Sequence, residues 1–243
     1  MPHEGDMGTT IRVDGVRLTL GDDPPLPVLG GVDMVASANA VTAIVGPSGC
    51  GKSTLLDVIA GITPVPEGSV TFDADARVAL MPQRDALMPW RTLRDNVALA
   101  AEVRGVGRTD ARALADREIT RVGLAGFGDH YPHALSGGMR QRGALARTLL
   151  AQSGVWLLDE PFGALDALTR AEMHRVLRAV RAHTPTTLVL VTHDIAEAVA
   201  LADVVLVASP APMRITDAIT VAEHGADASA CVLDALRAAG VHA

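Results

Sequence analysis

The stretch Gly46-Pro47-Ser48-Gly49-Cys50-Gly51-Lys52-Ser53-Thr54 follows an apolar, β-branched run, Val41–Val45, and opens a helix-length segment, Lys52 to Ile59. It fits G-x-x-x-x-G-K-[ST] at every fixed position, and a strand before with a helix after is the context that makes the spacing informative. Glycines let backbone N–H groups turn inward around phosphate oxygens. The helix that follows aims its positive end at the same oxygens. Lys52 adds a point charge for the β- and γ-phosphates, and the Ser53 hydroxyl is a hard oxygen of the kind Mg²⁺ takes. Cys50 reads as a small loop residue rather than a redox switch. The expectation is a nucleotide-phosphate cradle in an α/β fold.

Outward from the cradle, Leu188–Val191, Val155–Leu158 and Val204–Val207 read as further buried strands. Helix-length segments lie between strands, roughly Gly138 to Ala151 and Leu168 to Ala182. Strands alternating with helices predict a mostly parallel sheet with helices on both faces. Two regions depart from that pattern. Residues 10–36 alternate apolar and polar, as in Ile11, Val13, Val16, Leu18 and Leu20, and read as antiparallel strands at one edge. Residues 92–151 contain no strand-like run and read as an inserted helical lobe. Near the end, Val232, Leu233 and Leu236 sit at helical spacing and predict a short packing helix over 228–240. The whole chain, 1–243, reads as a single domain with these parts.

Val155-Trp156-Leu157-Leu158 runs into Asp159-Glu160. Ligands bind at the carboxyl ends of parallel strands, and successive strand residues point opposite ways. Asp159 is therefore expected to hold the Mg²⁺ shell and Glu160 to accept a proton from attacking water. His193 follows a second strand, Thr187–Val191, and is expected to contact the γ-phosphate or that water.

Composition narrows the classes. With 49% hydrophobic residues the chain can bury a sizeable core, and with 2% aromatics that core must be aliphatic. Charged residues are 20% and well mixed, which excludes a disordered chain. A net charge of −7 with no run of five basic residues argues against nucleic acid as the main partner. Cys50 and Cys231 form no CxxC pair or metal spacing and read as free thiols in a reducing compartment. Met1 to Thr10 is polar, with no secretion signal. No stretch reaches the ~20 apolar residues of a membrane span. Work at a membrane would require another chain to supply the span.

Leu135-Ser136-Gly137-Gly138-Met139-Arg140-Gln141-Arg142, just upstream of the acid strand, resembles the signature stretch of ABC-type ATPases. Ala164-Leu165-Asp166 resembles that family's aspartate loop at the dimer contact, and Gln83 the glutamine that links metal, water and membrane partner. The resemblance covers roughly residues 13–215. Leu87-Met88-Pro89-Trp90, Tyr131-Pro132 and Asp159-Glu160-Pro161-Phe162-Gly163 look like the importer ATPases for nitrate, sulfonates and taurine.

The resemblance implies an ATP- and Mg²⁺-using subunit on the cytoplasmic face of the membrane. It would be paired with a second ATPase copy and an integral-membrane permease, and would serve a solute-binding protein indirectly. Gln83 would join Ser53 and Asp159 at the metal and Glu160 and His193 in catalysis. Ser136, Gly137, Gly138 and Gln141 would face ATP held by the second copy; Ser136 can cap a helix, leaving a positive end for the γ-phosphate. Leu87, Pro89 and Trp90 would line a groove for a short permease helix, against the plainer reading that Trp90 packs inside the lobe. One feature departs from the family. Its usual adenine-stacking ring has no counterpart, because Leu20 stands at the matching position and no Phe, Tyr or Trp precedes Phe72. Adenine would rest on Leu20 and Val28.

Three other readings fit parts of the pattern. A DNA- or chromosome-maintenance ATPase of the same superfamily usually carries long coiled coils, which are absent from this sequence. A small-molecule kinase has no use for Leu135–Gln141. A regulatory nucleotide binder does not need Lys52, Asp159, Glu160 and His193 together.

Overall fold

Along β1 (Ile11–Leu20), Ile11 and Val13 are buried and then Val16 and Leu18, so the buried set changes phase between them. Gly15, at φ +59°, lies at this break, where the pairing register shifts. One extra residue in a strand produces such a bulge, and glycine takes the left-handed conformation it needs. The computed structural model describes residues 8–21 and 23–241. Most of the polar opening stretch, up to Met7, lies outside the described residues, as do residues 22, 242 and 243.

From β1 the chain continues through β2 (Leu26–Ala36), β3 (Val41–Val45), α1 (Lys52–Ile59), β4 (Glu67–Phe72) and β5 (Val78–Met81). The later strands are β6 (Val155–Asp159), β7 (Thr187–Thr192), β8 (Val204–Ala208) and β9 (Ile215–Thr220). They form two sheets. A six-stranded sheet has the order β5-β6-β7-β3-β8-β9, with β6, β7, β3 and β8 parallel and β9 antiparallel. β3, β6 and β7 are buried at every residue, which is why each reads as an unbroken apolar run. The N-terminal strands form their own three-stranded sheet, β2-β1-β4, antiparallel throughout. The alternation of residues 10–36 thus marks an antiparallel β subdomain with a sheet of its own. β4 completes that sheet, pairing Ile11 with Phe72 and Val13 with Val70.

The chain divides into two units. The first comprises residues 1–80, 154–160 and 185–243, and holds both sheets with α1. Its other helices are α6 (Ile195–Leu201), a short α7 (Val221–His224) and α8 (Ala228–Ala238). Its core is aliphatic: Ile11, Val16, Val32, Ile44, Leu55 and Leu157 are fully buried together.

The second unit comprises residues 81–153 and 161–184, broader than the helical stretch read from sequence. It contains α2 (Leu93–Glu102), α3 (Arg108–Arg121), α4 (Gly137–Leu150) and α5 (Ala167–Arg181). α2, α3 and α4 pack on one another. Ala101, Ala111 and Ala115 at their buried faces allow close approach. The architecture is a mostly parallel sheet with helices, an antiparallel β subdomain and a helical insertion.

Candidate nucleotide site

The strand β3 lies inside its sheet and carries the chain directly into Gly46–Gly51, where α1 begins. Gly51 has φ +121°, and a Cβ there would come within 3.0 Å of the Val28 Cγ1 and carbonyl oxygen. Only glycine fits. No side chain caps α1, so its first N–H groups are donors suited to phosphate oxygens. Lys52 is buried, and its Nζ donates to the carbonyls of Gly46 at 2.9 Å and Pro47 at 2.7 Å. Those bonds hold the ammonium inside the curve of the loop. Cys50 is buried beside it, a free thiol whose Sγ lies 3.8 Å from Nζ.

Asp159 ends β6 and is 4% exposed. Burial pushes its carboxyl pKa up, a hydrogen bond from the Ser53 hydroxyl pulls it down, and the charge of Glu160 pushes it up again. Its Oδ1 is buried with no hydrogen-bond partner. A buried, unpaired carboxylate oxygen beside a bonded hydroxyl is costly alone and suits a hard cation. Ser53 and Asp159 therefore fit Mg²⁺.

Glu160 adopts φ +46°, a left-handed conformation that costs a non-glycine residue about 1–3 kcal/mol. Its amide donates to the Val191 carbonyl at 2.9 Å, and its Oε1 lies 3.2 Å from His193 Nδ1. The sequence reading had strand alternation separate the two carboxylates. In the structure the strand stops at Asp159, and a left-handed turn carries Glu160 to His193 while Asp159 stays with Ser53. The Glu160 side chain is 19% exposed and that of His193 is 59% exposed. The pair is thus open to solvent on the His193 side. Val28 is buried against the loop at Gly51, whereas Leu20 is 44% exposed and pairs with Leu26 at the open end of β1 and β2.

The family model described as ABC transporter matches residues 29–163, more than half of the chain. The chain belongs to the ABC transporter family. It is an ATP-hydrolysing member, with the phosphate loop, acid strand and signature stretch in one chain. Its curated relatives are ATP-binding subunits of importers. A taurine import ATP-binding protein, TauB, of Chromobacterium violaceum is 44% identical over 195 residues, covering 78% of this chain and 75% of that one. An aliphatic sulfonates import ATP-binding protein, SsuB 2, of Xanthomonas axonopodis pv. citri is 47% identical over 209 residues, covering 82% and 68%. Among solved structures, the dimeric post-hydrolysis state of the ATP-binding cassette MJ0796 bound to ADP and Pi superposes with a TM-score of 0.80. That likeness is at 26% identity and covers 87% of this chain and 98% of that one.

The remaining ABC motifs lie in the helical unit. Ser136 caps α4, its hydroxyl accepting from the Met139 amide at 3.2 Å, with Gly137 and Gly138 in the first turn. A Cβ on Gly138 would lie 3.2 Å from the Ala164 carbonyl, while one on Gly137 would meet only an Arg140 nitrogen at 3.9 Å. Gln141 was expected to face a second copy's nucleotide. It is instead 7% exposed, and its Oε1 accepts from the Ala164 amide at 2.9 Å. Its task is internal, fixing the stretch before Asp166. Asp166 caps α5, accepting from the Leu168 and Thr169 amides at 3.1 and 3.0 Å and the Thr169 hydroxyl at 2.7 Å. The Thr169 amide, then its hydroxyl, holds the carboxyl below its usual range.

Gln83 is exposed just beyond β5. Of the three residues expected to line a groove, Leu87 is buried, its Cδ1 3.7 Å from where a Cβ on Gly143 would stand. Leu87 is core, not groove. Pro89 and Trp90 are exposed, Trp90 at 73%, so the packing alternative for Trp90 fails. Trp90 borders a cleft of about 420 Å³ with Tyr131, Asp95, Glu102 and Arg108.

Sequence reasoning missed Asn96, which is fully buried. It accepts from the Met88 amide at 2.6 Å and donates to the carbonyls of Met88 and Arg91, each at 3.1 Å. It also missed Thr192 and Glu197, buried beside His193. The Asp194-x-x-Glu197 spacing, a helix-start pattern, was the available signal.

Proposed function

We propose that this ATPase powers the import of a small organic or inorganic anion, such as taurine, another sulfonate or nitrate, through a separate integral-membrane permease. The Glu160–His193 pair, beside a carboxylate already bonded to Ser53, carries the catalytic part of this reading. The named relatives support the solute class.

In this reading the Gly46–Gly51 backbone, Lys52, Ser53 and Thr54 hold the phosphates of ATP. Ser53 and Asp159 would hold Mg²⁺, which would supply positive charge beside the phosphates. Glu160 takes the proton of the attacking water, and His193 orients Glu160 and the γ-phosphate. Gln83 keeps the metal- and water-linked role that the family resemblance gives it. Leu20 and Val28 offer adenine an aliphatic seat. The capped start of α4, Ser136 to Gly138, grips the γ-phosphate of ATP held by a second copy, and Asp166 stands at that contact. Hydrolysis removes the shared γ-phosphate, and the two copies separate. No helix among the described residues is long and apolar enough to cross a membrane. A permease therefore anchors the subunit peripherally, on the cytoplasmic face, and a solute-binding protein delivers cargo to that permease.

The test is ATP-driven uptake of labelled taurine, an alkanesulfonate or nitrate into vesicles holding this chain with its neighbouring permease. Uptake of one of them is expected, with none when Glu160→Gln replaces the parent chain. ATP hydrolysis in the assembled complex that no such anion stimulates would remove the solute class.

A further inference from the structure

His193 stands inside a closed ring of hydrogen bonds. The Thr192 hydroxyl donates to Glu197 Oε2 at 3.2 Å and accepts from the Asp194 amide at 3.1 Å. The Asp194 Oδ1 accepts from the Glu197 amide at 3.1 Å. A hydroxyl has one proton to donate and lone pairs to accept, so both bonds at Thr192 form together, and the Asp194–Glu197 bond closes the ring. Thr192 is 2% exposed and Glu197 is 5% exposed, while the His193 side chain between them faces outward.

An ordinary capping box sends the acid side chain of the first turn back to the N-cap amide. Here the acid, Glu197, reaches past that amide to the last residue of β7, whose hydroxyl serves the amide instead. The box thereby spans His193. On the strand side, the Val191 carbonyl accepts from the Glu160 amide at 2.9 Å. The backbone that carries His193 is thus tied to Glu160 at one end and to α6 at the other. Nothing in the hydrolytic reading uses Glu197, although burying a carboxylate is unfavourable without such bonds.

We propose that Glu197, acting through Thr192, is a positioning residue that holds His193 against Glu160 during hydrolysis, an inference that rests on the catalytic reading of that pair. Neither Glu197 nor Thr192 needs to touch nucleotide. Their loss leaves the phosphate loop intact and lets the imidazole leave its partner. A misplacement of the order of 1 Å in a catalytic group can slow turnover about a hundredfold. A ring that only caps α6 would affect melting and leave the chemistry alone.

The experiment compares Thr192→Val, Thr192→Ser and Glu197→Gln in the full chain, each alone and combined with His193→Ala. Single-turnover ATP hydrolysis with Mg²⁺, ATP affinity and the thermal midpoint are read for every variant. Thr192→Val keeps the side-chain shape without the hydroxyl, and is expected to slow hydrolysis about 10- to 100-fold while affinity stays within about threefold. Thr192→Ser restores most of the rate. In the His193→Ala background, Thr192→Val adds no further loss, because residues acting as a unit are not additive. Parent-rate hydrolysis by both Thr192→Val and Glu197→Gln, with His193→Ala impaired, overturns the positioning role alone. So does an equal loss from Thr192→Val with and without His193. If Thr192→Val does not fold, the same comparison with Glu197→Gln decides. Parent-rate hydrolysis by His193→Ala would instead overturn the assignment of His193 itself.

Discussion

At the scale of single residues, charge and burial around the phosphate loop follow from a few side chains. Lys52 is held by two carbonyls and Asp159 by one hydroxyl, so both side chains are in place before substrate arrives. The end proposed to seat adenine is built differently. Leu20 is an exposed aliphatic side chain where the family stacks a ring. Stacking on a ring is worth about 1–3 kcal/mol for a base. Leu20→Tyr is therefore expected to tighten ATP binding about fivefold or more by titration calorimetry, and the parent chain to prefer ATP over GTP only modestly. A preference above about a hundredfold, near 3 kcal/mol, would reveal a base contact other than these two side chains.

Much of this chemistry was legible because it is contiguous. Gly46 to Ser53 states strand, loop, charge and hydroxyl in one run, and Asp159-Glu160 directly follows its strand. What stayed hidden depends on partners distant in sequence or on side-chain direction. Gln141 lies in the signature stretch, yet its side chain turns inward to Ala164. Leu87 shares an apolar run with Trp90, but only one of them reaches solvent. Thr192 and Glu197 look unremarkable until the turn at His193 brings them together.

At the scale of elements, the buried strands and α1 were readable from apolar runs and spacing, whereas sheet membership was not. β4 is largely exposed along its length, so no periodic signal marks it. Its pairing with β1, distant in sequence, is what completes the antiparallel sheet. In the helical unit, Asn96 of α2 makes the turn that presents Trp90. Asn96→Ala leaves the Met88 amide and the Arg91 carbonyl without their partner, while the Met88 carbonyl keeps the Arg91 amide. Each orphaned buried group costs about 1–3 kcal/mol, and a net loss of about 3 kcal/mol is expected in urea unfolding. A loss below about 0.5 kcal/mol, the range of surface changes, would show that the turn stands without it.

The start of α2 also has a pH signature. Arg112 bonds both oxygens of Asp95, at 2.7 and 2.9 Å, and this bond holds the carboxyl below its usual range. A lowered folded-state pKa means stability that is present above the ordinary carboxylate range and lost as pH falls through the lowered value. Thermal melts of Asp95→Asn and the parent are therefore expected to differ at neutral pH and to converge on acidification. A gap that widens toward acid would contradict this pairing.

At the scale of the whole molecule, the signature helix α4 is joined to the segment before Trp90. Arg140 and Arg147 of the signature helix grip the segment before Trp90, at the Asp85 side chain and at the carbonyls of Ala86 and Asp85. Movement of α4 would be carried to that segment directly. Trp90→Ala is expected to leave the isolated chain's stability within about 0.5 kcal/mol, because the indole is exposed. In the assembled transporter it should separate ATP hydrolysis from uptake or weaken assembly. Unfolding of the isolated variant, or full uptake by the complex, would end the docking role of Trp90.

The central claim is that Glu160 drives hydrolysis in a site shared by two copies. It is tested most directly by the molar mass of Glu160→Gln in ATP and Mg²⁺, measured by light scattering. The expected result is an ATP-held species of twice the 25.2 kDa chain, returning to one chain when Gly137→Asp, whose Cβ meets only an Arg140 nitrogen at 3.9 Å, is added. A Glu160→Gln chain that binds ATP and stays at 25.2 kDa, or that consumes ATP at the parent rate, would contradict it.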